Sequence, residues 1–220
     1  MAWGLWRIPE RTLRLLGPTR GRRILELGCG AARWSYALRA RGSDVVALDF
    51  VAERLEQARR LQPARARPLP MVRANAERLP FADASFDIVF SDWGAMTFCD
   101  PSRTVPEVSR VLRNGGVLAF SNSSPFRSVA QNRRRGPPTR RLIYPYFGLG
   151  RLDYPGEVNF QRTYAEWVRL FTDNRLRIER LVEHRPGPGE RSAYLTAAGE
   201  PEWARRWPLE SIWGLRKTLP

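Results

Sequence analysis

The chain has 220 residues, and 37 Lys+Arg against 22 Asp+Glu give a formal net charge of +15. A length of this order suits a single hydrophobic core. With 43% hydrophobic and 11% aromatic residues in short runs, the composition excludes a disordered, collagenous or fibrous chain.

No stretch approaches the ~20 apolar residues of a membrane-spanning helix. The N-terminal MAWGLWRIPER lacks the charged leader, long apolar core and small-residue cleavage site of a secretory signal. A soluble cytoplasmic protein with no membrane partner is therefore expected. Cys29 and Cys99 offer neither a disulfide framework nor metal-ligand spacing, and with His184 as the single histidine no metal site is expected. Lys217 is the only lysine, so the basic excess is arginine, which accompanies abundant Ala, Pro and Gly and fits base-composition bias. One cluster stands out, Arg133, Arg134, Arg135, Arg140 and Arg141, which reads first as a solvated loop and second as a patch for nucleic acid or an acidic substrate.

Strand-like and helical stretches alternate through the first half, the pattern of an α/β fold with a mostly parallel sheet and helices on both faces. In chain order the expected elements are a strand over Arg22 to Gly28, a helix over Ala31 to Gly42 and a strand over Asp44 to Phe50. A helix over Val51 to Gln62, stopped by Pro63, precedes a short strand over Pro70 to Ala76 and a strand over Phe86 to Asp92. A helix from about Ser102 to Leu112, a turn at Asn114-Gly115-Gly116 and a strand over Val117 to Ser123 complete this half. Residues 125–162 are rich in Pro, Gly, Arg and aromatics without a sustained period, which suggests a lid or insert. A helix over Thr163 to Asn174, a strand over Arg175 to Arg185 and a tryptophan-rich helical stretch carrying Trp203, Trp207 and Trp213 end the chain. The expected organisation is one domain over 1–220, with an N-terminal cover at 1–20 containing Trp3 and Trp6, a core at 21–124, the insert at 125–162 and a closing part at 163–220.

The most informative stretch is ILELGCGAARWS, a strand ending in acidic-x-Gly-x-Gly that runs into a helix. Residues without Cβ let a small molecule approach the backbone at the carboxyl end of a strand. A dinucleotide site asks for a further glycine where this chain has Arg33, so a nicotinamide-dependent oxidoreductase is disfavoured. Glu26 ahead of the first glycine points to a cationic end of the ligand.

This stretch resembles motif I of the class I S-adenosylmethionine-dependent methyltransferases. Downstream, ALDF, RANAERLPFADASFDIVFS and EVSRVLRNGGVLAFS resemble that family's later motifs in order and spacing, so that the likeness covers about Arg22 to Ser123. The resemblance implies a Rossmann-like methyltransferase fold with S-adenosylmethionine as cofactor. It implies that Glu26 holds the methionine amino group, that Gly28, Cys29 and Gly30 form the glycine bend, and that Asp49 takes the ribose diol. Phe50 would lie against adenine, Asn75 and the Ala76 N–H would read the base, and the Ser91 carbonyl would meet the methionine ammonium. Ala32 and Asn75 depart from the commoner Gly and Asp; an Asn carbonyl still accepts a hydrogen bond.

A cationic cofactor meets a basic protein here, but screening beyond about 8 Å leaves the outcome to local acids such as Glu26 and Asp49. Trp93, Tyr144, Tyr146 and Phe147 are candidate substrate-pocket residues, each alternatively a packing residue. No catalytic residue is assigned; His184 could act as a base but reads first as structural, and Asp87 reads as a strand-entry residue. The expected acceptor is a small molecule, with RNA methylation or non-catalytic cofactor binding as alternatives.

Overall fold

The computed structural model describes residues 1–64, 67–134, 136–195 and 199–219. A hairpin of β1 (Ala2–Trp3) and β2 (Ile8–Pro9) and one helical turn, α1 (Glu10–Leu13), open the chain. The core follows as β3 (Arg23–Leu27), α2 (Arg33–Ala40), β4 (Asp44–Asp49), α3 (Ala52–Arg60), β5 (Met71–Arg73) and β6 (Phe86–Asp92). Next come α4 (Ala95–Phe98), α5 (Pro101–Val111), β7 (Leu112–Ser123) and α6 (Pro125–Ala130). The remainder is β8 (Arg151–Tyr154), β9 (Glu157–Phe160), α7 (Tyr164–Asp173), β10 (Leu176–Val182), α8 (Glu200–Ala204) and β11 (Glu210–Lys217).

Seven strands form one sheet in the order β10-β11-β7-β6-β3-β4-β5. The β7, β6, β3, β4 and β5 ladders are parallel, whereas β11 runs antiparallel to both of its neighbours. This is the mostly parallel α/β fold expected from the sequence. The central strands are apolar throughout because both of their faces are covered. On one face Phe120, Trp167, Phe171 and Trp213 pack with Val105 and Val108 of α5. On the other, Trp3, Trp34, Leu38, Leu55 and Phe90 pack together beneath α2, α3 and the N-terminal segment.

Local signals set several boundaries. Asp100 caps α5, its side chain accepting from the Ser102 N–H with Pro101 in the first turn, and Thr163 with Glu166 forms a capping box on α7. The Asn114-Gly115-Gly116 turn lies inside β7: pairing passes from Phe86↔Leu112 to Ile88↔Val117, so the intervening residues bulge out, with Gly115 at φ 76°.

One expectation is corrected and two segments gain their form. The C-terminal tryptophan-rich stretch is not one helix but the short α8, which stops at Ala204, followed by the buried strand β11, which inserts between β7 and β10 with Trp213 opposite Phe120. The segment 125–162 holds α6 and the β8–β9 hairpin around a small cluster of Val129, Leu149 and Leu152. The N-terminal cover is a hairpin followed by one helical turn. Its Trp3 is buried against Trp34 and Phe90, and the Glu10 carboxylate accepts hydrogen bonds from Trp3 Nε1 and from the N–H groups of Leu15 and Leu16. Of the arginine cluster, Arg135 lies outside the described residues. Among the described residues no helix is long and apolar enough to cross a membrane.

Candidate active site

Strand order reverses between β3, which leads outward to β4 and β5, and β6 on its other side. Ligands of open α/β sheets bind at such a switch point, outside the carboxyl ends of the strands. A cavity of about 710 Å³ opens there, within the roughly 300–1,000 Å³ of small-molecule sites.

Its floor is backbone. Gly28 has φ +71°, and a Cβ on it would lie 2.4 Å from the Ala95 nitrogen; a Cβ on Gly94 would lie 2.4 Å from the Leu27 carbonyl oxygen. The chain leaving β3 and the chain leaving β6 therefore touch backbone to backbone, which only glycine permits at both positions. At Gly30 a Cβ would meet nothing within 4 Å.

Asp49 locks this floor to the end of β4. Its Oδ2 accepts from the Gly30 N–H at 2.8 Å and its Oδ1 from the Val51 N–H at 3.0 Å. Each carboxylate oxygen retains a further acceptor site. Glu26 also lines the cavity; its Oε2 accepts from the Ser35 N–H at 3.0 Å and from the Ser35 hydroxyl. Burial, helped by the nearby Asp92 and Asp49 charges and opposed by the Ser35 hydrogen bonds, pushes its pKa up to about 8. Four carboxylates, Glu26, Asp49, Glu77 and Asp92, thus line one cavity of a strongly basic protein.

Asp92 and Trp93, at the end of β6, are held by the N-terminal hairpin and by β7 and β11. Asp92 Oδ1 accepts from the Gly4 N–H at 2.8 Å and from the Ser121 hydroxyl at 2.6 Å, and burial raises the pKa of this carboxyl. Trp93 sits at φ 48°, an uncommon backbone state for a bulky residue. Its N–H donates to Ser121, and its indole Nε1 donates to the buried Glu210 carboxylate at 2.9 Å. The same Glu210 oxygen accepts the Leu5 N–H, so hairpin and tryptophan are tied to one group, whose pKa burial raises to about 7. Arg7, at the turn of the hairpin, reaches the cavity.

The expected cofactor residues Glu26, Gly28, Cys29, Gly30, Asp49, Phe50, Asn75 and Ala76 all line this cavity. Phe50 is 64% exposed at the rim. Asn75 Oδ1 already accepts the Glu77 N–H at 2.9 Å, which reduces its capacity for a ligand. Cys29 is buried, and burial pushes its thiol pKa up, which suppresses the reactive thiolate. Ser91 does not line the cavity: it is fully buried, and its hydroxyl donates to the Leu27 carbonyl and accepts the Met96 N–H, clamping β3 to α4.

Of the candidate substrate aromatics, Trp93 lines the cavity, whereas Tyr144, Tyr146 and Phe147 do not. Tyr144 Oη accepts from the Arg133 N–H, Tyr146 Oη accepts from the Tyr164 N–H, and Phe147 faces solvent. His184 is also elsewhere, 2.8 Å from Glu190 and beside the Trp6 ring. Asp87 accepts the Arg23 N–H and pairs with Arg113 at the opposite, entry end of the strands. The aromatic wall comes instead from Trp34, Phe98 and Tyr194. Asp92 directly follows Ser91 and was legible as the end of a strand; nothing local marked Arg7, Trp34 or Tyr194.

These residues suit a nucleoside that carries a cation: an acid for hydroxyls at the end of β4, an acid for an ammonium on β3, and open backbone between them. Comparison with known proteins agrees. The family described as "Methyltransferase domain" matches residues 25–120. A demethylmenaquinone methyltransferase of Clavibacter sepedonicus is 41% identical over 120 residues, 54% of this chain and 48% of that protein, so the chain spans about half of that relative's length. An uncharacterised methyltransferase of Mycobacterium tuberculosis is 39% identical over 168 residues, 76% of this chain and 67% of its own. The crystal structure of an S-adenosylmethionine-dependent methyltransferase from Mesorhizobium loti superposes with a TM-score of 0.75 at 27% identity, covering 97% of this chain and all of that one. A glycine bend, a strand-end carboxylate and these relatives converge on one conclusion: the chain belongs to the class I S-adenosylmethionine-dependent methyltransferases.

Proposed function

We propose that this protein transfers a methyl group from S-adenosylmethionine to a small-molecule acceptor by in-line displacement at carbon. The observation that carries this reading is the Glu26, Asp49 and Asp92 carboxylates in one cavity over the Gly28–Gly94 crossing. S-adenosylmethionine supplies an electrophilic methyl on a sulfonium. Glu26 would hold its ammonium, Asp49 its ribose hydroxyls, Phe50 and the Asn75–Ala76 backbone its base.

The protein's task is then positioning, which supplies up to about 7–11 kcal/mol when donor and acceptor are held in line. Trp93 serves that task because Glu210 and Ser121 fix both its ring and its backbone. Aromatic walls from Trp34, Trp93, Phe98 and Tyr194 exclude water and suit a cationic centre. Where the acceptor atom carries a proton, Asp92 is the group to receive it: buried, oriented by Gly4 and Ser121, and made more basic by its burial. The demethylmenaquinone relative supports a small organic acceptor.

The test is calorimetry with S-adenosylhomocysteine. Wild-type protein binds it, and Asp49→Ala loses at least about a hundredfold in affinity, since two charge-assisted hydrogen bonds to the ribose are lost together. Equal affinity of the variant, or no binding by the wild type, refutes the assignment. Given binding, an acceptor panel of phenols, quinols, carboxylic acids and amines, scored by S-adenosylhomocysteine release, separates methyl transfer from cofactor binding alone.

A further inference from the structure

The loop between α6 and β8 reverses the usual order of a surface segment. Its polar anchors are turned inward: the N–H groups of Ile143 and Tyr144 donate to the Val129 carbonyl at 2.8 and 3.1 Å, and Tyr146 Oη accepts the Tyr164 N–H at 3.1 Å. It presents apolar and cationic side chains to solvent. Phe147 is 84% exposed, Leu142 70% and Ile143 41%.

Arg134, Arg140 and Arg141 are exposed beside them, and no ion pair to an acid engages any of the three among the described residues. The cause is in the sequence. Between Glu107 and Asp153 the chain contains no acidic residue. Arginines elsewhere are neutralised locally, as Arg110 is by Glu107 and Asp83 and Arg216 by Glu179. Here the positive charge stands uncompensated around three large apolar side chains.

We propose that this loop is a docking surface for an anionic phospholipid bilayer. Phosphate headgroups complement Arg134, Arg140 and Arg141, while the acyl boundary takes Leu142, Ile143 and Phe147 out of water. RNA would satisfy the arginines equally and could stack on Phe147, but aliphatic Leu142 and Ile143 offer no stacking face to a base. The bilayer accounts for both halves of the surface. A bilayer partner departs from the sequence-based expectation of none, which came from the lack of a spanning segment; peripheral binding needs no such segment. Docking here is independent of methyl transfer, so it is read without cofactor or acceptor.

The experiment is co-sedimentation of the full chain with phosphatidylcholine vesicles and with vesicles containing phosphatidylglycerol. The protein binds the anionic vesicles at low salt, leaves them as salt rises, and ignores phosphatidylcholine alone. Each arginine near the surface strengthens partitioning about fivefold, so Arg140→Glu with Arg141→Glu weakens binding well over tenfold. Leu142→Ser with Phe147→Ser independently weakens it at least tenfold. Both double variants keep the wild-type melting temperature and affinity for S-adenosylhomocysteine, because the loop does not line the cavity. No binding to anionic vesicles at low salt overturns the proposal. So does wild-type binding by the Leu142/Phe147 variant, which would leave only a non-specific attraction to polyanions. Displacement from the vesicles by single-stranded RNA at lower concentration also overturns it and assigns the loop to RNA.

Discussion

Glu26 offers the sharpest test, because its charge state must change when the cavity fills. Burial is the chief reason its pKa stands at about 8 rather than 4.5, with Asp92 and Asp49 adding to it and the Ser35 hydrogen bonds opposing. At pH 7 such a group is about nine-tenths protonated. A ligand ammonium placed against it favours the carboxylate, so binding expels close to one proton. S-adenosylhomocysteine affinity therefore rises by up to about tenfold per pH unit between pH 5 and 8 and levels off above 8. The assay is calorimetry at pH 7 in two buffers of different ionisation enthalpy, whose difference gives the protons released, with the free ligand's own titration subtracted. The same shift has a consequence for folding. Between pH 4.5 and 8 the folded, ligand-free protein binds more protons than the unfolded chain, so its stability falls as pH rises through that window, by at most about 1.4 kcal/mol per unit. Glu26→Gln removes both the proton release and this slope. Zero proton release in the wild type, or equal release in Glu26→Gln, would refute the assignment of Glu26 to the ammonium.

The two glycines of the bend separate packing from strain. Gly28→Ala places a Cβ 2.4 Å from backbone at positive φ and is expected to cost roughly 2–5 kcal/mol in denaturant unfolding. Gly30→Ala has positive φ but open space and should cost only about 1–2 kcal/mol; equal costs would show that the backbone crossing is not tight. Trp213→Ala, at a fully buried site between Phe120, Trp167 and Phe171, should cost about 3–5 kcal/mol by the same measurement. A cost near that of an exposed surface substitution would place Trp213 outside the core.

Much of the fold was legible because its signals are local. The helices over Ser102 to Leu112 and from Thr163 are set by caps within a few residues of their starts, Asp100 with Pro101 in one and Thr163 with Glu166 in the other. The strands over Asp44 to Phe50 and Phe86 to Asp92 are apolar runs between turn residues. The tryptophan-rich terminus misled because Trp203 and Trp213 occupy different elements. Within Glu210 to Lys217 the run Ile212 to Leu215 is buried on both faces as an inserted strand, and periodicity does not separate such a strand from a buried helix. Tyr144, Tyr146 and Phe147 follow β7 in sequence, yet adjacency along the chain carried no information about whether they line the cavity.

The sequence by itself determined the glycine-bend end of the cavity. That end is built of backbone and of carboxylates at or near strand ends, whose positions follow from where each strand stops and from the absence of Cβ at Gly28 and Gly30. Only the tertiary structure decided the rest: that Asp92 and Trp93 are steadied by a hairpin from residues 1–9 and by Glu210 on the final inserted strand, and that the aromatic loop faces solvent. Those contacts join segments up to 205 positions apart, and no local propensity encodes a hydrogen bond whose two partners meet only after the sheet has assembled.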